Sequence, residues 1–526
     1  MKEVYSLRRL ISGRFRLAVP VLCLLVILSP AAFAFEADIY QILPDDTKKI
    51  VKQADKLLRQ GKLAEAESFL KRAVEAHPDD SAIRLRVAYL HLKQRRIADA
   101  YNISLAIAQA EEKNSYAYAI LGSALLSAGR FPQARQVLVT AIHLNRRESF
   151  AWASLGLLEF YENNIDEGIL NLREAVYLEP NHPDHVFSLA QALARSEQYR
   201  EAARGYVKYL AISRGLDDDR RARIKGLIAF MEYLGGKHEL YAIGGAEQTK
   251  IPIRIVGNRP VLEVRVNGRS RPLNFVLDSG SGATVISKET AELLGMRSVA
   301  RGGHAKGFGG DGRFEIVYGF ANSMEIGEVK IRNVPVYIRH FHGQANKVDG
   351  YIGLSLVSKF LTTIDYGEST FGLMRKDTAA AEAIRSSGTA IPLRLTSSGF
   401  LSGEVRVEGV EDPLNFIVDT GSSVSVISDD LARLDPVSSF AGDAKMRVIG
   451  AAGIEENVPS YILPKISFGP LSRNDISAIS LDLDTINTTT GFEQAGILGG
   501  NFLRNYRMTF DFKNSLVIFV PIDAEP

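Results

Sequence analysis

The sequence predicts a multidomain chain, an all-α solenoid of repeated helix pairs followed by a mainly-β double lobe. Three observations carry that prediction. Small residues recur at a fixed period through the first part of the chain, strand-like alternation replaces the helical pattern after residue 250, and the β-rich part contains one stretch of text twice. Leu273-Asn274-Phe275-Val276-Leu277-Asp278-Ser279-Gly280-Ser281 recurs as Leu414-Asn415-Phe416-Ile417-Val418-Asp419-Thr420-Gly421-Ser422. A chain of 526 residues is too long for one core. With 46% hydrophobic and 24% charged residues it has the balance of a folded protein rather than a disordered one.

The first element, residues 1–34, reads as a targeting segment. Lys2, Arg8, Arg9, Arg14 and Arg16 precede an apolar run from Leu17 to Leu28, and Ala32-Phe33-Ala34 offers a small-x-small cleavage site. The alternative is an uncleaved anchor, because no charge falls between Leu17 and Phe35, a span close to a membrane crossing. The expected location is therefore exported and periplasmic, with membrane attachment only if this segment is retained. Cys23, the one cysteine, lies in the apolar run, so a processed chain has no thiol and no disulfide. Processing also removes five basic groups and one acid, which turns the net charge from +2 to slightly negative. Nothing in that balance supports nucleic-acid binding.

The second element is the repeat array, expected over residues 46–236. Ala66, Ala100, Ala134, Gly168 and Ala202 are evenly spaced, and Ala88, Gly122, Gly156 and Ala190 keep the same interval. Small residues at fixed points of two helices let those helices approach closely. The turns match as well, in Gly61-Lys62-Leu63-Ala64-Glu65-Ala66 and Gly129-Arg130-Phe131-Pro132-Gln133-Ala134. This array resembles the tetratricopeptide repeat, whose period of about 34 residues is the interval found here. The resemblance implies a groove for a peptide or protein partner; a spacer or dimerising scaffold is the other reading. Residues 220–233 read as a further helix that caps the last exposed face. A polar, glycine-containing link then runs from Gly235 to Lys250.

The third element is a β region that repeats itself, over 251–375 and 389–526, with a short Ala/Ser-rich link between. Val264 stands as far before Asp278 as Val405 stands before Asp419. Tyr351-Ile352-Gly353 and Ile497-Leu498-Gly499 correspond, and an acid follows each glycine at the same interval, Asp365 in one half and Asp511 in the other. Both acids lie past the glycine strand and read as structural. Between the turn acid and that strand each half has a glycine-rich stretch, Gly307-Phe308-Gly309-Gly310-Asp311-Gly312 and Gly450-Ala451-Ala452-Gly453. One Asp-Ser/Thr-Gly turn means little, since these are ordinary turn residues. Two, each ending an apolar strand, point to two carboxylates meeting across a two-fold axis.

Each half resembles a retropepsin-type aspartic protease lobe, and the pair resembles the two-lobed pepsin arrangement. The resemblance implies a catalytic dyad of Asp278 and Asp419, with Ser279, Gly280, Thr420 and Gly421 supporting it. It implies flaps at Gly307, Phe308, Gly309, Gly450 and Ala451, although neither stretch has the tyrosine of the pepsin type and plain hairpin loops remain the alternative. Two carboxyls about 3 Å apart cannot both ionise and share one proton. One then deprotonates water while the other polarises a peptide carbonyl, with no cofactor and no metal. His340-x-His342 has metal-ligand spacing but no third ligand in the text nearby, so it reads as an exposed loop. The expected activity is endopeptidase hydrolysis of a peptide or protein substrate recruited by the repeats. A non-catalytic peptide-binding module with the same fold, and a dyad formed between two chains, are the alternatives.

Overall fold

The computed structural model describes residues 45–310, 312–343 and 348–522. The expected targeting segment, residues 1–34, lies outside them. Among the described residues no helix is long and apolar enough to cross a membrane. A helical solenoid comes first and a mainly-β region with two sheet lobes follows.

The helices alternate in pairs from Asp45–Arg59 and Leu63–Ala76 to Pro183–Arg195 and Tyr199–Ile212. The turn within each pair carries a residue in the left-handed region at the repeat period: Gly61 at φ 72°, Arg95 at 61°, Gly129 at 72°, Asn163 at 64° and Glu197 at 63°. Two of the five are glycine and one asparagine; Arg95 and Glu197 take the same conformation against their intrinsic preference. Packing of the neighbouring helices imposes it. The small residues do what their spacing implies. A Cβ on Gly156 would lie 3.0 Å from the Gly168 carbonyl, and one on Gly168 would lie 3.1 Å from the Gly156 carbonyl.

The chain divides into two compact units. One comprises residues up to 126, 130–154 and 212–215; the other comprises 127–129, 155–211 and 216–526. In the first, Ala54, Leu58, Ala66, Leu70, Ile83 and Ala88 form a continuous buried core between helices. In the second, the late repeats and both β lobes share one body. The helix Asp218–Gly235 packs along the strand Ala300–Lys306, with Phe230 stacked on Tyr318 at 4.5 Å between centroids. This is the helix expected to cap the solenoid, and the surface it covers belongs to a β lobe.

Arg195 joins the late repeats to the β region. It lies 3.7 Å above the Phe160 ring and donates from Nη2 to the carbonyls of Thr396 (2.7 Å) and Ser397 (3.1 Å). Burial lowers its pKa to about 9. Arg195→Ala removes this fork and leaves the carbonyls short of donors, so a loss of about 2–4 kcal/mol is expected in denaturant unfolding of the full chain. Arg195→Lys keeps the charge but not the paired donors, and should recover only part of it.

Among the described residues the strands form three sheets. The first lobe's sheet centres on Leu273–Leu277, which pairs antiparallel with Arg259–Val266 and parallel with Gly350–Ile352. The second repeats the arrangement: Leu414–Val418 pairs antiparallel with Leu401–Val407 and parallel with Gly496–Leu498. The register aligns Val264 with Leu273 and Val405 with Leu414, so the two evenly placed valines stand at equivalent positions. A six-stranded sheet interleaves the two halves, with Leu361–Asp365 of the first beside Tyr506–Asp511 of the second. The segment read as a link after Gly235 is part of this architecture. Ala242–Gly245 pairs with Val329–Arg332 and Gln248–Pro252 pairs with Thr370–Met374. The second link contains the helix Ala379–Arg385, whose Arg385 binds the buried Asp511 at 2.8 Å. Asp365 caps its own turn, accepting from the Gly367 and Glu368 amides at 3.0 Å. Both downstream acids thus have structural partners.

Candidate active site

Each turn acid sits where its strand ends, held by the strand that passes beside it. The Asp278 amide donates to the Ile352 carbonyl and the Asp419 amide to the Leu498 carbonyl, both at 3.0 Å. A Cβ on Gly353 would lie 2.2 Å from the Ala283 carbonyl, and one on Gly499 would lie 2.4 Å from the Val424 carbonyl. No side chain fits beneath either turn, which is why glycine follows the apolar pair in both halves.

The two turns lock each other. Ser279 Oγ donates to the Val418 carbonyl (2.7 Å) and accepts from the Thr420 amide (3.0 Å). Reciprocally, Thr420 Oγ1 donates to the Leu277 carbonyl (2.8 Å) and accepts from the Ser279 amide (3.1 Å). Both side chains are buried. Four hydrogen bonds thereby tie two turns far apart in the chain into one rigid pair.

This lock sets Asp278 against Asp419. A Cβ on Gly280 would lie 2.7 Å from both carboxylate oxygens of Asp419, and one on Gly421 would lie 2.8 Å from the Asp278 carboxyl carbon. Each carboxyl therefore reaches over the glycine of the opposite turn. Asp419 Oδ1 accepts the Gly421 amide at 2.7 Å. The surrounding protein desolvates both acids, although each keeps an open face toward the cleft. That burial raises the Asp278 pKa well above the usual carboxylate value, and the Asp419 charge raises it further. Asp419 is also raised by burial, but the hydrogen bond from Asp278 and the amides of Gly421, Gly280 and Ser422 oppose the rise. With both carboxyls raised and in contact, the two acids titrate as a unit.

A cleft of about 1490 Å³ opens over the acids, lined by both lobes and also by Phe160, Arg195 and Tyr206 of the late repeats. The glycine-rich stretches form the tips of two hairpins, Ala300–Lys306 with Arg313–Ile326 and Ala441–Ile449 with Ile454–Phe468. The tips meet. The Ala452 amide donates to the Phe308 carbonyl (2.8 Å) and the Gly310 amide to the Ile454 carbonyl (3.2 Å). Gly307, Phe308, Gly450 and Ala451 line the cleft, while Gly309 sits against the Gly453 carbonyl at the junction. Asp311 lies outside the described residues.

The aspartyl protease family model matches residues 262–356 and again residues 403–502. The two matched stretches fall on the two β lobes. The tetratricopeptide repeat model matches residues 57–120. Among solved structures, a thermophilic tetratricopeptide repeat protein of Thermus thermophilus is 21% identical, with 35% of this chain and 98% of that chain covered at a TM-score of 0.30. PilF of Pseudomonas aeruginosa is 17% identical, with 36% and 86% covered at 0.27, and MamA is 22% identical, with 32% and 91% covered at 0.22. No curated protein matches the chain.

The two β lobes contain cleft residues that sequence reasoning missed, Arg339 and Tyr351 among them. Neither drew attention as a candidate, because no acid turn or glycine-rich stretch contains it. His340 and His342 are near neighbours, with rings 5.0 Å apart, and His340 Nδ1 pairs with Glu289 at 2.8 Å. Among the described residues the group with metal-ligand geometry lies elsewhere. Glu179, His182 and His185 place their donor atoms within 4.8 Å of one another, with the buried imidazoles stacked at 3.9 Å. Glu179 caps the C-terminus of the helix Ile165–Leu178, while His182 and His185 stand at the start of the helix Pro183–Arg195.

Proposed function

We propose that this chain is an exported aspartic endopeptidase in which Asp278 and Asp419 activate water, with the repeats recruiting a protein substrate or partner. The observation that supports this most directly is the contact of two desolvated carboxyls, locked by Ser279 and Thr420, beneath a cleft of about 1490 Å³. In the one-proton state, the ionised carboxylate takes a proton from a water lying between the acids. That water attacks the peptide carbonyl carbon, while the protonated acid donates to the carbonyl oxygen. The tetrahedral diol then collapses as a proton passes to the amide nitrogen and the C–N bond breaks. The hairpin tips shield these steps from bulk water and offer backbone groups to an extended chain. Export rests on the basic and apolar text of residues 1–34, and the periplasm is the compartment proposed.

The test compares the full chain with its Asp419→Asn variant on a diverse peptide library, from acidic to neutral pH. Cleavage by the first and a fall of about a thousandfold or more in the second are expected. Equal activity in both would overturn the assignment, and no cleavage by either would leave a peptide-binding module. Mixing Asp278→Asn with Asp419→Asn should restore nothing, because one chain supplies both acids. Recovery would mean that dyads form between chains.

A further inference from the structure

Arg339 ends the strand Val329–Arg339, where it pairs in register with Ser287, and its side chain lines the cleft beside the dyad. The guanidinium is ringed by aromatic faces, 5.0 Å from the Phe341 centroid, 5.6 Å from Phe314 and 5.8 Å from Tyr351. One of its donors, Nη1, reaches the Ala451 carbonyl at the tip of the opposite hairpin (3.0 Å). Among the described residues no carboxylate lies within ion-pair distance of it. Three other charged residues of the cleft are paired: Arg447 with Glu456 at 3.0 Å, Glu289 with His340, and Glu315 with Arg301. Arg339 thus places a partly desolvated positive charge on the wall of the cleft, with Nη1 held by the Ala451 carbonyl. Arg339 and Asp278 line the same cleft, and the Arg339 charge opposes part of the rise that burial causes in the Asp278 pKa. A second cation, Arg259, lines the same cleft and has a buried Nε without a hydrogen-bond partner. Both arginines act on the Tyr351 hydroxyl between the walls of that space.

We propose that Arg339 is a specificity-determining residue that binds a substrate carboxylate, so that the cleft selects peptides bearing an acidic group close to the bond it cleaves. This rests on the proteolytic reading of the cleft. Planar guanidinium donors match a carboxylate two at a time, and the aromatic walls hold the fork in place while excluding water. The carboxylate is that of an Asp or Glu side chain, or the free C-terminus of a short peptide.

Binding tests this without requiring turnover. The probes are short peptide pools blocked at both ends, with Glu at one scanned position or Gln in its place, and the Gln pools again with a free C-terminal carboxylate. Fluorescence anisotropy measures their affinity for the full-length Asp419→Asn chain with Arg339 intact or replaced. With Arg339 intact, one carboxylate-bearing pool should bind roughly ten- to a hundredfold tighter than its neutral counterpart. Whether the Glu pool or the free-terminus pool does so identifies the source. Arg339→Leu should bring that ratio to about one, and Arg339→Lys should restore part of it. An unchanged ratio in Arg339→Leu, no ratio with Arg339 intact, or no binding of any pool would each overturn the inference. If the ratio behaves as expected but the unsubstituted chain cleaves nothing, only the proteolytic reading fails.

Discussion

Asp278→Asn is expected to abolish peptide hydrolysis and, at the same time, to make the fold more stable. The activity change should be a fall in kcat of about a thousandfold or more, since a carboxamide cannot carry the proton that the pair shuttles. The stability change follows from the direction of the pKa shift. In the unfolded chain this carboxyl ionises near 3.8, and in the fold burial and the Asp419 charge hold it well above that value. The folded state therefore binds the proton more tightly than the unfolded state. The group favours folding below the unfolded pKa, and that contribution is lost as pH rises through the raised folded value. Asparagine does not ionise and suffers no such loss. The difference in melting temperature between variant and parent should thus be small at about pH 3 and grow toward neutrality. A variant equally or less stable at neutral pH would contradict the desolvated dyad. The same shift bears on the rate: activity needs one proton on the pair, so it should fall both when the pair takes up a second proton and when it loses the shared one.

Thr420→Val should be the most damaging substitution that leaves both acids in place. Valine keeps the shape but strips the Ser279 amide of its acceptor and the Leu277 carbonyl of a donor, all in a fully buried setting. A loss of about 2–5 kcal/mol in denaturant unfolding is expected, with kcat reduced about a hundredfold as the two turns lose register. Thr420→Ser retains the hydroxyl, and the first lobe performs the same task with Ser279, so it should stay near the parent in both measurements. Equal damage by Val and Ser would show that the methyl packing, rather than the hydroxyl, holds the turns.

What could be read from the sequence was what recurs in it. The helical pairs were legible because Ala66, Ala100, Ala134, Gly168 and Ala202 mark one structural point again and again, and helix spacing is a local property of the chain. The acid turns were legible because two copies of one text stand side by side, and the lock between Ser279 and Thr420 followed from the resemblance they carry. Features made by long-range contact were not legible. The residues after Gly235 look like a polar link, yet Ala242–Gly245 and Gln248–Pro252 become strands because open sheet edges lie beside them. The helix Asp218–Gly235 reads as the end of a solenoid, and no local signal says that Tyr318 waits to receive Phe230. Arg339 lies far along the chain from Asp278 with no counterpart text in the second half, so only the fold brings it to the cleft.

The interleaved six-stranded sheet fixes the molecularity of the chemistry proposed for this chain. Where two separate polypeptides each lend one acid, dilution separates them and the rate per chain falls with concentration. Here Leu361–Asp365 and Tyr506–Asp511, one from each half, are neighbours in a single sheet of a single polypeptide. Every folded molecule then carries both acids, and hydrolysis by the proposed dyad should be indifferent to how many others are present. The converse concerns the nascent chain. Until Thr420 and Asp419 have been made and locked against Ser279, Asp278 lacks the partner acid on which the proposed chemistry depends.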